Sequence, residues 1–552
     1  CDFFYPRLGG VEMHLWSLAQ GLLQRGHKVV VLTRASGARR GVRYMANGLK
    51  VYYLPLREMA PLGVAFPTFG LAWLPLFRHV VLREGVTVVH GHQATSCLAQ
   101  EALLMARALG LRTVYTDHSL FGFADLGSVL INKVLRFTLS DVDACVCVSH
   151  TCRENLLQRA RTVPPDRCTV VPNAIDPARF RPPTEEERRQ RDERGRLVVV
   201  VISRLVYRKG ADLLAEVIPD VCARHPEVDF LVGGDGPKRE LLETTVARHG
   251  LEGRVEFLGA LEHRRVRSVL ARGHLFLNCS LTESFCIAIV EAACAGLFVV
   301  ATKVGGVAEV LPTGPEEVGP EEGGQALPVQ FTAFVEPTRV ALSGAVSANL
   351  PQALRLDPFE VHRRVRDMYS WPDVARRTEA VYDAALEGKP PPPLTGSGGT
   401  PRSGPRSGSG FSKLWAEPAA PAGQRTGKRR PKPPSLEWPH PDSAAARAPC
   451  TPAPLPPLSL RLARYRACGP VSGLLACAVA LLLALAAALL DLVDPPQSVE
   501  HALDWSQPPP PGLMGVCEEG NGTAGNEKGA QGRSAAGSLA GGGCELRGEL
   551  SE

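Results

Sequence analysis

The sequence has no strong charge of one sign. A formal +6 is spread over 552 residues with the lysines and arginines scattered, so there is no basic stripe for a nucleic-acid backbone and nucleic acid is not an expected partner. Metal-ligand spacing is missing as well. The 15 cysteines fall at irregular intervals, many in apolar runs such as "DACVCVS" at 143–149. Cys145-Val-Cys147 has neither the two-residue gap nor the second pair of a zinc site, so the cysteines read as free thiols of a reducing compartment. No secretory signal opens the chain. Cys1 begins on what reads as the tail of a strand, and a strand central to the first sheet is expected before it. Glycine (54) and proline (47) exceed what packed domains ordinarily carry, so part of the chain is expected to lie outside any core.

What is present is an alternation of short β-branched runs with segments of helical period, the pattern of βα units around parallel sheets. In residues 1–180 the strands are read at "KVVVLT", "VTVVHGH", "TVYTDHS" and "CVCVS". Val11, Leu15, Leu18 and Leu22 form one face of a helix that Gly26 closes. The charged stretch "TEEERRQRDERGR" reads as a linker at 181–196. A second series, 197–388, follows with "LVVVVIS", "DFLVGG", "RVEFLG", "HLFLNCS" and "FVVAT". The expected architecture is α/β, two doubly wound Rossmann-like domains facing each other. Ligands of such sheets bind at the carboxyl ends of the strands, so the site is expected in the cleft. An inserted loop is read at 312–334, and a disordered Pro/Gly/Ser-rich linker at 389–469.

Residues 470–490 are uncharged and long enough to cross a bilayer of about 30 Å, so one transmembrane helix is expected there, followed by a short tail at 491–552. Arg461, Arg464 and Arg466 precede it, and Asp491, Asp494 and Glu500 follow. That bias places the two large domains in the cytoplasm and the tail across the membrane, where the sequon at Asn521 could be used.

Arg204, Arg208 and Lys209 stand where a buried strand ends and a helix begins. Such a turn points side chains and helix N–H groups into the cleft, where an anion is favoured. An arginine fork with a lysine point charge suits a diphosphate. Glu283 and Glu291, eight residues apart in "SLTESFCIAIVEAACAG", can both look into that cleft. "GGDGP" at 233–237, with Gly234, and "VGG" at 304–306 add tight turns. "DVD" at 141–143 is set aside as a cation site, because basic residues already supply the counter-charge. No metal or other cofactor is expected.

Taken together, these features resemble retaining glycosyltransferases of the GT-B fold, with their E-x7-E motif, basic pair and glycine loops in that order. "YPRLGGVEMHLWSLAQGLLQRGHKVVVLT" is similar to that superfamily's glycine loop and first helix. More narrowly, "GLKVYYLPL", "TDHSLFGFAD", "SRLVYRKG", "GALEH" and "MYSWPDVARRTEAVYD" resemble the catalytic-subunit family of phosphatidylinositol N-acetylglucosaminyltransferase. The resemblance implies that Arg204 and Lys209 hold the diphosphate of UDP-N-acetylglucosamine and that Glu291 binds its ribose. It implies that Glu283 lies beside the sugar as an orienting group, and that Gly9 and Gly10 admit the donor closely. His118 matches the family histidine near sugar and leaving phosphate. The implied reaction is retaining transfer to phosphatidylinositol, the first step of glycosylphosphatidylinositol anchor synthesis. It would take place in a multi-subunit complex of the endoplasmic reticulum membrane. Two other readings stand beside it: a non-catalytic scaffold subunit of this fold, against which the joint presence of His118, Arg204, Lys209, Glu283 and Glu291 argues, and a transferase acting on another lipid, such as a dolichol-linked sugar.

Overall fold

The computed structural model describes residues 1–312 (except Leu8 and Pro61), 330–392 and 452–502. The expectations for 313–329, 393–451 and 503–552, including the Asn521 sequon, lie outside the described residues.

The second half is organised by one six-stranded parallel sheet. In spatial order its strands are Val255–Gly259, Val228–Gly233, Leu197–Ile202, Leu275–Asn278, Phe298–Thr302 and Thr332–Val335. Near-continuous Val/Ile/Leu/Phe runs form these strands because helices cover both faces and leave no side for water. The chain leaves its first strand, Leu197–Ile202, toward one edge and returns to that strand's other side at Leu275–Asn278. Those two neighbours therefore flank the switch point of the sheet.

The first half carries the parallel strands Val88–His92, Arg112–Asp117, Ala144–Cys147 and Cys168–Val170, side by side in that order. Val30–Arg34 pairs separately with Lys50–Leu54, whose far edge is closed by antiparallel Gly41–Tyr44. Cys1 bridges the two groups: its backbone nitrogen donates to Leu32 O at 3.0 Å and its thiol to His92 O at 3.3 Å. The helix Gly10–Gln24 buries Leu15, Leu18 and Leu22 as its spacing implies, and Gly26 follows it at φ 85°.

Several boundaries differ from the sequence reading. The segment 181–196 contains the helix Glu185–Asp192, which owes nothing to apolar period; a capping box between Thr184 and Glu187 starts it. Thr332–Val335 begins within the stretch read as an insert, 312–334, but is the sheet's last strand, paired in register with Val299–Thr302. The helix Trp371–Leu386 packs back onto the first half. His90 Nδ1 lies 2.7 Å from Tyr382 Oη, and the buried Glu379 carboxylate accepts from Arg25 and lies 2.8 Å from His27 Nε2.

The linker read at 389–469 is not free at its end. Leu458–Arg466 is a helix docked on the first half, where Asp141, fully buried, accepts from Arg461 Nε at 2.6 Å and Arg464 Nη1 at 2.8 Å. Arg107 donates to both Asp141 and Asp143, and Arg112 to Asp143. The aspartates of "DVD" thus answer arginines. The apolar helix runs from Pro470 to Val493. Gly473, Ala476, Leu483 and Ala487 are buried, Gly473 against Arg466 of the preceding helix and Ala476 and Leu483 in a cluster with first-half residues, whereas Leu474, Leu475, Leu482, Leu485 and Leu489 face outward. The helix is long and apolar enough to cross a membrane. Near its start Cys468 lies 3.1 Å from Ser140 Oγ, and at its far end Arg78 donates to Asp491 at 2.9 Å and Asp494 at 3.0 Å.

Burial raises the Asp141 carboxyl, but the arginines around it outweigh burial and hold it below its ordinary range. Its contribution to stability is therefore complete above that range and is lost as pH falls through the folded value. Asp141→Asn leaves three guanidinium groups short of their counter-charge and is expected to destabilise the chain by about 3 kcal/mol near neutral pH. The loss should read as a lower thermal unfolding midpoint that converges on wild type in acid.

Candidate functional site

Two loops meet at the switch point of the second sheet. After Leu197–Ile202 the chain turns through Ser203–Arg204 and a short 3-10 turn, Tyr207–Lys209, into the helix Ala211–Arg224. After Leu275–Asn278 it runs through Ser280 to Cys286 into the helix Ile287–Cys294. Leu281 N donates to Arg208 O at 3.0 Å, stitching the loops together. Lys209 Nζ donates to Glu283 Oε1, which also accepts from Ser280 Oγ at 2.9 Å. Glu283 keeps 11% of its side chain exposed and Lys209 26%, so the pair sits at the mouth of the crevice rather than in the core.

Close approach is what the glycines allow. Gly210, at φ 71°, would drive a Cβ to 1.8 Å from Cys279 O, and Gly234, at φ 129°, to 1.8 Å from Ser203 O. Gly234 therefore holds the basic loop from beneath. A Cβ at Gly306 would meet Ser284 O at 2.1 Å, and Gly306 N donates to Glu283 O at 2.9 Å. Cys286, buried and non-glycine, takes φ 65° at the start of the helix Ile287–Cys294, a conformation that only the surrounding packing can hold.

Arg204 is exposed, and among the described residues no hydrogen bond or ion pair involves its guanidinium. Glu291 lies one helix further in, its Oε1 3.0 Å from His263 Nε2. Gly9 and Gly10 start the helix Gly10–Gln24 of the first half. A Cβ on Gly10 would meet nothing within 4 Å, whereas one on Gly9 would strike the Glu12 carboxylate.

His118 directly follows the strand Arg112–Asp117, and the Ser284 hydroxyl of the second half donates to its carbonyl. It does not stand alone. His92 Nδ1 is 3.2 Å from His118 Nε2, the His14 ring stands edge-on to His118 at 4.7 Å, and His14 Nδ1 is 2.8 Å from Asn173 Oδ1. Ligand atoms of His14, His92 and His118 all lie within 4.8 Å of one another, the one such group of metal-ligand type among the described residues. Burial, then the neighbouring imidazoles, holds His92 and His118 well below the usual histidine range, and burial holds His14 at about 4. These rings are neutral at physiological pH.

The structure thus brings Lys209 and Glu283 together, sets Gly234 against the basic loop and ties His118 to the Glu283 loop through Ser284. Arg204 stands on the same basic loop, exposed, and Glu291 sits in the following helix Ile287–Cys294 with His263 as its partner. Sequence reasoning missed His14, His92, Asn173 and His263. His92 closes the quoted strand "VTVVHGH", and a polar residue at a strand's carboxyl end is a signal for the cleft. Nothing local marks Asn173.

Comparison with known proteins agrees with this fold. Residues 34–125 match the family model described as PIGA (GPI anchor biosynthesis), and residues 183–315 match glycosyl transferases group 1. The chain is 51% identical over 387 residues to a phosphatidylinositol N-acetylglucosaminyltransferase subunit of Arabidopsis thaliana, covering 70% of this chain and 81% of that protein. It is 47% identical over 382 residues to the Homo sapiens protein of the same name, covering 69% and 74%. Sucrose-phosphate synthase from Thermosynechococcus elongatus has a similar structure, with a TM-score of 0.55 at 20% identity over 68% of this chain and 93% of its own. HepE of Anabaena in complex with UDP-glucose gives 0.52 at 18% identity over 69% and 98%. These likenesses establish the GT-B glycosyltransferase fold.

The histidine array makes a prediction about pH. An imidazole whose folded pKa lies below its unfolded value of about 6.5 supports the fold fully above that pH and progressively less toward about 4. The thermal midpoint is expected to fall across that window. His14→Gln should flatten the fall, and an unchanged slope in the variant would show that His14 is solvated.

Proposed function

The chain belongs to the PIGA family of phosphatidylinositol N-acetylglucosaminyltransferase subunits, and from that premise we propose that it moves N-acetylglucosamine from UDP-N-acetylglucosamine to phosphatidylinositol with retention at the anomeric carbon. The observation that carries this is the 51% identity maintained over 81% of the Arabidopsis relative. At that level the acceptor is read from a whole-length likeness and not from the fold, which hosts many acceptors.

In this reading Arg204 and Lys209 receive the donor diphosphate at the switch point, and Glu291 receives the ribose. Gly9, Gly10 and Gly234 keep backbone close enough for contact. The barrier is charge separation as UDP leaves an oxocarbenium-like sugar. Cations at this turn lower it by stabilising the negative charge that develops on the departing diphosphate. Lys209 is held by Glu283, so the ammonium is positioned before the diphosphate arrives, and Glu283 orients both it and the sugar. The leaving phosphate takes the proton of the attacking inositol hydroxyl, on the face from which it departs. His118, neutral by burial, serves as a hydrogen-bonding group near sugar and phosphate and not as a charged acid. These residues need no metal or other cofactor for this chemistry.

We place the reaction at the endoplasmic reticulum membrane, with the two large halves in the cytoplasm. The apolar helix Pro470–Val493 holds the chain to the bilayer as one member of a complex. The word "subunit" in the relatives' names supports the presence of further chains.

Membranes carrying this chain with its partner subunits, given labelled UDP-N-acetylglucosamine, are expected to yield a labelled phosphatidylinositol product. Label in a different lipid would reassign the acceptor, and an assembled complex that labels no lipid would refute the reading. Lys209→Ala is expected to cost about 3 kcal/mol of transition-state stabilisation, roughly a hundredfold in rate. A variant as fast as wild type would remove the residue from the mechanism.

A further inference from the structure

The helix Leu126–Thr138 of the first half is turned inside out. Its inward face carries Ser128, Asn132 and Thr138 along with Leu135, whereas Leu126, Leu130 and Val134 stand outward at 74%, 54% and 44% exposure. Three residues spaced by four make one stripe along the helix, and Phe123, 51% exposed, extends it beyond the N-terminus. The inward polar groups are satisfied by protein. Asn132 Nδ2 donates to Gly122 O at 3.0 Å and Thr138 Oγ1 to Gln100 Oε1 at 2.5 Å, so this orientation is fixed. Exposed Lys133 lies beside the stripe.

Both ends of this helix lead somewhere. At its C-terminal end the Cys468 thiol donates to Arg136 O at 3.3 Å, and Phe137 packs edge-on against Tyr465 at 5.7 Å. Cys468 stands two residues before the apolar helix Pro470–Val493, so wherever that helix first meets lipid, Leu126–Thr138 is beside it. At its N-terminal end the helix is entered from the loop that begins at His118 and is capped by Asp125, which accepts from Ser128 N at 2.8 Å.

We infer that Leu126, Leu130 and Val134, with Phe123, form a membrane-contact surface of the first half. The surface lies in the lipid bilayer next to the entry of the apolar helix, and it brings the inositol headgroup of a bilayer-resident acceptor to the loop carrying His118. The occupant is lipid because the helix that carries the stripe packs against the one helix among the described residues that is long and apolar enough to span a membrane. The inference rests on the proposed lipid acceptor for its purpose, but not for the contact itself.

The test uses the full chain in vesicles of phosphatidylcholine and phosphatidylinositol. An environment-sensitive fluorescent amino acid replaces Leu126, Leu130 or Val134 singly. Val340 of the second half, 66% exposed, is the control position. Blue-shifted emission quenched by nitroxide-bearing lipids is expected at the three stripe positions and not at Val340. Water-like emission at the stripe overturns the inference. So does a blue shift that lipid nitroxides fail to quench, which would mean that another protein chain covers the surface. In the assembled complex, the triple variant Leu126→Ser, Leu130→Ser, Val134→Ser is expected to raise KM for the lipid acceptor about fivefold with KM for the donor unchanged, and an unchanged acceptor KM counts against it. If wild type transferred no sugar, the quenching result would still decide the surface, and the proposed activity alone would fall.

Discussion

Lys209 meets Glu283 because two neighbouring strands of one parallel sheet send their connections to opposite faces. Right-handed crossovers from Leu197–Ile202 and from Leu275–Asn278 must diverge, and divergence opens a crevice that side chains from both turns can line but no helix can fill. Everything proposed about the chemistry depends on that gap. The ion pair, the Leu281 N to Arg208 O bond and the glycines at 210, 234 and 306 keep the two turns within reach of each other without closing the space between them.

A second constraint is that the crevice needs a far wall, and the first half supplies it through contacts distant in sequence. Ser284 bonds to the His118 carbonyl, the backbone N–H groups of His150 and Thr151 donate to Glu309, and Trp371–Leu386 crosses back to lay Glu379 against Arg25 and His27. Buried charge serves position here more than stability, since desolvation consumes much of what each pair returns. The same device fixes the helix Leu458–Arg466. Asp141 gathers arginines from two distant segments and sets where the apolar helix departs.

Strands and helices were largely legible in advance. Val-rich runs such as "LVVVVI" fit only a strand buried on both faces, and Val11, Leu15, Leu18 and Leu22 fit only a helix with one wet side. The failures were of two kinds. Glu185–Asp192 is helical through a capping box and salt bridges, which apolar periodicity does not see. Thr332–Val335 is too short to stand out beside a stretch rich in Gly, Pro and Glu. The basic turn was legible because cations at a strand end have few structural uses. His14 and His92 were not, since a histidine within an apolar pattern looks the same whether it faces a core or a cleft.

Sequence by itself determined the two series of βα units, the cations after Leu197–Ile202, the glutamate pair eight residues apart and the apolar helix after 470. These are local facts, set by side-chain period, β-branching and the backbone freedom of glycine. Only the tertiary structure decided that segments as far apart as His14, His92 and Ser284 converge on His118, that "DVD" holds arginines, and that a leucine stripe is left outside. Such outcomes depend on which surfaces meet when the halves close, and pairing between distant segments leaves no periodic trace in a single chain.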